Sequence, residues 1–102
     1  MRIGAYLVET VTIVKVTLAA GDRSEVSVPN VPAAVFKREF YRESPAGKET
    51  VSKTFIGLQA GTDITGQDEI ILDGVKRSVV DIAKVRVSRY SSEIGHLEVE
   101  LD

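Results

Sequence analysis

The chain has no cysteine, no tryptophan, one histidine and three prolines among its 102 residues. Without cysteine, a disulfide scaffold, a thiolate zinc site and a cysteine nucleophile are all excluded. A lone histidine, His96, leaves no second imidazole for a tetrahedral metal site. An excess of one charge is also missing. Thirteen Lys and Arg oppose fifteen Asp and Glu, a net charge of −2, which is not the strongly basic balance of a generic polyanion binder. Long hydrophobic runs are absent too. The longest uncharged stretch, Val26 to Phe36, is broken by Pro29 and Pro32, whereas a bilayer span needs about twenty apolar residues. Ile3 to Val8 is uncharged but short for a signal peptide and is followed by Glu9 rather than a small-residue cleavage site. The expectation is one soluble domain over 1–102, with residues 1–8 as a flexible or partner-contacting arm.

What is present is β-branched and alternating. Apolar residues make up 43% of the chain and charged residues 27%, ordinary for a folded domain and too apolar for disorder. Thr10 to Leu18 has strand character, with a slip in phase at Ile13-Val14 that implies either a bulge or burial on both faces. In the last segment Leu97, Val99 and Leu101 alternate with His96, Glu98, Glu100 and Asp102, so one set is expected in the core and the other outside it. Turn signals fall at Ala20-Gly21-Asp22-Arg23, Ser44-Pro45-Ala46-Gly47, Asp73-Gly74 and Glu93-Ile94-Gly95. Asp-Gly between apolar runs is a strong hairpin signal, because a type I′ turn needs positive φ at both central residues. Ala33 to Arg42 fits an irregular helical stripe or an alternating strand, and Pro32 with Val35, Lys37, Glu39 and Tyr41 favours the strand. The pattern predicts an all-β fold: a small antiparallel barrel of six or seven short strands with little or no helix.

Several stretches resemble chemical motifs and fail their requirements. Gly61 to Gly66 has the glycine spacing of a phosphate-binding loop, but Gln67 and Asp68 stand where that loop needs Lys and Ser or Thr. Asp63-Ile64-Thr65-Gly66 is one residue too long for the Asp-Thr-Gly of an aspartic protease dyad. Asp63, Thr65, Gln67 and Glu69 alternate as calcium ligands do, yet the required glycine and closing Glu are misplaced. No Gly-x-Ser-x-Gly elbow surrounds any serine, so His96 is expected on the exposed face of a strand end. Phe36, Phe40, Tyr41 and Phe55, interleaved with Arg38 and Arg42, have the residue types of a base-stacking surface. A domain with 6% aromatics is expected to place most of them in its core instead.

Charge is unevenly distributed. Lys76, Arg77, Lys84, Arg86 and Arg89 oppose only Asp81, while Glu93, Glu98, Glu100 and Asp102 close the chain with no Lys or Arg among them. These nine are candidate inter-subunit charges, one patch meeting its complement on the next copy of a ring. Cross-strand pairing and a merely solvated face are the other readings, and composition leaves all three open.

The order of features resembles a known family. Val28-Pro29-Asn30-Val31-Pro32-Ala33-Ala34-Val35 is followed by Leu58-Gln59-Ala60-Gly61-Thr62-Asp63-Ile64, then Asp68-Glu69-Ile70-Ile71-Leu72-Asp73-Gly74, then Gly95-His96-Leu97-Glu98-Val99-Glu100-Leu101. Over about residues 10–102 this is similar to the head-completion proteins of long-tailed bacteriophages, also called head-closure or head-to-tail stopper proteins. The resemblance implies a structural β-barrel in the neck of the virion, present in the host cytoplasm during assembly. Copies would form a homo-oligomeric ring below the portal–adaptor complex, close the DNA-filled head, and offer a docking surface to a tail terminator or tail tube protein. DNA would pass without sequence-specific binding. It implies no enzymatic activity, catalytic residue, cofactor, metal or membrane. Within it, Gly61, Thr62, Asp63, Gln67 and Asp68 form a candidate lumen or contact loop, and either the 59–69 loop or the acidic last strand would face the lumen. Pro45, Gly47, Lys48 and Lys53 form a candidate mobile contact arm. The alternative function is a small barrel-type binding module for single-stranded nucleic acid or a peptide.

Overall fold

The computed structural model describes residues 9–102, so the arm expected over 1–8 lies outside the described residues. Six strands follow in chain order: β1 (Glu9–Ala19), β2 (Asp22–Ser44), β3 (Gly47–Gln59), β4 (Glu69–Leu72), β5 (Val75–Arg86) and β6 (Ile94–Leu101). All pairings are antiparallel, and the sheet closes on itself in the order β1-β2-β3-β6-β5-β4. The all-β class and closed antiparallel architecture are those the alternation predicts. The strands are not uniformly short, however. The Val-Pro segment and Val35–Glu43 belong to one strand of 23 residues, which Pro29 and Pro32 do not end. Thr12 stands opposite both Pro29 and Asn30, where the β1–β2 register shifts, and Asn30 takes φ +59°. A proline at a bulge need not donate to the ladder, so the strand bends there and continues.

Turn chemistry acts locally at three of the four expected turns, whereas Ile94 and Gly95 of the fourth belong to β6. Asp73 and Gly74, at φ +53° and +78°, join β4 to β5, and Ala20 and Gly21, at +53° and +83°, join β1 to β2. Both hairpins therefore carry positive φ at both central residues, the type I′ twist that matches paired strands. Ser44 pairs with Gly47 across Pro45-Ala46, and the Ser44 hydroxyl donates to the Gly47 carbonyl at 2.8 Å.

The core is aliphatic throughout. Val11, Ile13, Ala33, Ile56, Leu58, Ile70, Val79, Leu97, Val99 and Leu101 form its buried centre, with Val35, Ile64, Leu72, Ile82 and Ile94 packed against it. Each large side chain so buried contributes roughly 1.5–3 kcal/mol. The expectation that the aromatics fill the core fails. Phe55 is buried but on the outer face, Phe36 is half-buried, and Phe40, Tyr41 and Tyr90 are exposed. A barrel of few strands has an interior just wide enough for branched aliphatic side chains. The slip at Ile13-Val14 resolves as burial on both faces, each residue being 2% exposed, with the register shift one step earlier.

Two hairpins outrun the closed sheet. β3 pairs with β6 only from Thr54 to Gln59, so the β2–β3 pairs from Arg38–Lys53 to Ser44–Gly47 form a two-stranded ribbon beyond it. At about 3.4 Å per residue these pairs reach roughly 20 Å. β1 likewise pairs with β4 only from Thr12 to Val14, leaving Lys15–Ala19 with β2 residues Asp22–Val26 as a second ribbon. Strand direction sends the two ribbons from opposite ends of the barrel. The radius of gyration of 15.5 Å, against about 13 Å for a compact domain of this length, reflects these projections.

Candidate functional site

The 60–68 loop crosses one end of the barrel, from the end of β3 to the start of β4, and a buried carboxylate ties it to β1. Asp68, 2% exposed, accepts hydrogen bonds from the Val16 amide at 3.1 Å, the Thr65 amide at 2.9 Å and Lys15 Nζ at 2.5 Å. Val14 pairs with Glu69 in the β1–β4 ladder, so the Asp68 carboxylate takes up the next outward donor of β1 where β4 has not yet begun. Burial acts to raise the Asp68 pKa, but the hydrogen bonds from Lys15, Thr65 and Val16 outweigh it and hold the group below its ordinary value. Burial likewise acts to lower the Lys15 pKa, and Asp68 and Asp63 together raise it above its ordinary value. Of the proposed lumen loop, Asp68 is thus an internal anchor. Gly61, Asp63 and Gln67 are exposed and Thr62 half-exposed, and Asp63 meets Lys15 Nζ at 3.3 Å.

The proposed contact arm is the tip of the β2–β3 ribbon. Pro45, Gly47 and Lys48 lie at the turn, and Lys53 lies at the ribbon's base, where it spans to Glu100 at 3.5 Å and over the Phe40 ring at 5.2 Å. On the same outer face the rings of Phe36 and Phe55 stack at 5.9 Å. Arg38 covers both, at 5.1 and 4.7 Å, and meets Glu98 at 2.6 Å. Aromatic and cationic side chains therefore alternate here as a stacking platform requires, but both cations already have carboxylate partners on β6.

Pairing divides the nine candidate inter-subunit charges. Glu98 and Glu100 are met by Arg38 and Lys53, Lys76 by Glu25 at 3.4 Å, and Arg77 lies against Asp102. Arg77–Asp102 is the one pair that joins the basic segment to the acidic one. The acidic face of the last strand is consequently neutralised by β2 and β3 rather than left open. Lys84, Arg86, Arg89 and Glu93 have no ion-pair partner among the described residues. His96, expected on an exposed strand face, is half-buried opposite Val85 and Gln59. No cluster of three or more metal-ligating side chains occurs among the described residues.

At the end of the barrel opposite the loop, Val35, Lys37, Thr54, Leu72, Asp73, Val75 and Arg77 line a shallow hollow of about 250 Å³. Its rim is formed by the β4–β5 turn and the base of the ribbon. The sequence gives no hint of this hollow, because its residues come from four strands. No protein-family model matches the chain, and no curated protein matches it.

Proposed function

We propose that the protein is a structural connector of a phage particle, a ring subunit below the portal and adaptor that closes the DNA-filled head and receives the tail. The observation that supports this reading most is the pair of two-stranded ribbons projecting from opposite ends of one closed barrel. A rigid barrel with an arm at each end suits a part that must grip neighbours above and below. The β2–β3 ribbon carries Phe40 at 42% and Tyr41 at 75% exposure, and the β1–β2 ribbon carries Leu18 at 63% and Val26 at 64%. Such apolar side chains on thin ribbons have little of their own fold to pack on, and contact surfaces are enriched in them. The order of the Val-Pro, Ala-Gly-Thr-Asp, Asp-Gly and C-terminal segments adds the resemblance to head-completion proteins.

A binding module for single-stranded nucleic acid or a peptide is the second reading, favoured by the Phe36–Arg38–Phe55 stack. It ranks lower because Glu98 and Glu100 already neutralise the cations of that platform. Particles assembled without this chain test the first reading. The expected result is filled heads that leak DNA beside unattached tails, with attachment restored by adding the purified protein. Intact tailed particles in its absence would refute the assignment.

A further inference from the structure

We propose that the rim formed by Lys84, Arg86 and Arg89, with Tyr90 beside them, is a contact for the phosphate backbone of nucleic acid. The chain is acidic overall, yet Lys76 and Arg77, from the same basic segment, are matched by Glu25 and Asp102. Lys84, Arg86 and Arg89 are exposed and have no such partner among the described residues. They are therefore three cations of one segment left without a carboxylate, although the formal net charge is −2.

Register places Lys84 and Arg86 on one face. Lys84 stands opposite Leu97 and Arg86 opposite Ile94, so both continue the inward face of Ile82 past the core and out at the barrel mouth. Arg89 follows in the 87–93 loop, whose ends are joined by the Val87 amide donating to the Glu93 carbonyl at 3.0 Å. The Ser91 amide donates to the Ser88 carbonyl, and the hydroxyls of Ser88 and Ser91 accept from the amides of Tyr90 and Glu93. Gly95 lets this loop close on β6, since a Cβ there would meet Val87 Cγ2 at 3.3 Å. The loop is thus held by its own hydrogen bonds while its tip is displayed. At the tip Arg89 covers the Tyr90 ring at 4.7 Å, and Tyr90 is 84% exposed.

Two free cations and Arg89, which lies over the exposed Tyr90 ring and donates to its hydroxyl at 2.5 Å, suit nucleic acid better than an acidic protein surface. The cations match phosphates, and the ring offers a stacking face that carboxylates do not use. Glu93 at the base of the loop and Asp81 farther along β5 are the nearest acids in sequence, and neither forms an ion pair with the three. Within the connector reading, on which this assignment of a DNA-facing end rests, the contact would steady the passing strand. The binding itself is a property of one subunit and is measured without any ring.

The test is fluorescence anisotropy of the full chain with a labelled duplex, a labelled single strand and labelled poly-glutamate, across a salt series. If each cation meets one phosphate, the logarithm of the duplex binding constant falls with a slope of about −2.7 against the logarithm of salt, so a fourfold rise in salt weakens binding about 40-fold. The combined variant Lys84→Ser, Arg86→Ser and Arg89→Ser is expected to lose at least tenfold in affinity at low salt and to flatten that slope. Tyr90→Ala is expected to weaken the single strand several-fold and spare the duplex. The control Lys37→Ser with Lys48→Ser, which removes two exposed cations of β2 and β3, is expected to bind as the unaltered chain does. Circular dichroism verifies that each variant is folded. Absence of binding at low salt, a rim variant no weaker than the control, or poly-glutamate bound as tightly as either DNA would overturn the proposal. A chain that attaches tails but fails this assay would overturn only this inference.

Discussion

Replacing Asp68 with Asn tests how the loop is anchored. The substitution keeps the shape and one acceptor, so the Val16 amide can remain paired. The other carboxylate oxygen, however, receives both the Thr65 amide and Lys15 Nζ, and an NH₂ group placed there would face two donors. One backbone amide loses its acceptor, at about 1–3 kcal/mol, and one charge-assisted bond is lost, at about 1.5–3 kcal/mol. Lys15 keeps Asp63 and is partly exposed, which favours the low end of the range of about 3–5 kcal/mol for breaking a buried pair. A loss of about 3 kcal/mol in a domain of this length lowers the thermal midpoint by roughly 14 °C. Urea denaturation of the unaltered chain, Asp68→Asn, Lys15→Met and the double variant would give the coupling, expected at about 1.5–2 kcal/mol. The pH dependence has a definite sign. The folded pKa of Asp68 is depressed, so its contribution is present above the unfolded carboxylate value of about 3.9 and is lost as pH falls through the folded value. The gap between the unaltered chain and Asp68→Asn should be full at neutral pH and close in acid. A gap under about 1 kcal/mol at neutral pH, or one that persists unchanged in acid, would refute the anchor.

Gly74→Ala should cost about 1 kcal/mol through backbone conformation alone, because φ is +78° and nothing lies within 4 Å of the added methyl. Gly66→Ala, where the space is equally open and φ lies outside that region, should cost less than about 0.5 kcal/mol; equal losses in urea melts would remove the argument from the turn. Replacing residues 41–50 by Asn-Gly, which joins Phe40 to its register partner Val51, should leave the barrel's unfolding free energy within about 1 kcal/mol. The same change should abolish tail attachment in the particle assay. A shortened chain that restores attachment would show that the ribbon makes no contact there.

The parts of the fold legible in the sequence are those fixed by neighbours in the chain. Asp73-Gly74 determines its own turn, and the alternation of Leu97, Val99 and Leu101 determines which face of β6 is buried, at 5%, 0% and 3% exposure. What misleads is chemistry whose meaning depends on a distant partner. Pro29 and Pro32 look like strand breakers until pairing with β1 reveals a bulge in β2 at Pro29 and Asn30, which needs no amide from Pro29. The acidic last strand looks like an open charged face until β2 and β3 bring Arg38 and Lys53 beside it. Aromatics usually mark a core, but aliphatic side chains fill this one, and Phe36 and Phe55 lie under a guanidinium on the outer wall.

Lys15 shows where a sequence signal existed without its answer. It falls in phase with Val11 and Ile13, on the face a core would use, and an unpartnered ammonium there is costly. The pattern therefore demands a carboxylate, but nothing local singles out Asp68, 53 residues away. Closure of the sheet supplies it. The four-residue β4 is too short to cover all of β1, and the residue before it turns its carboxylate onto the amide and the ammonium that β4 leaves unpaired. A longer β4 would have satisfied the Val16 amide with its own backbone and left Lys15 without a buried partner. The lysine, the short strand and the buried aspartate are thus one solution to one hydrogen-bonding problem, which is why the Lys15–Asp68 coupling is the quantity to measure first.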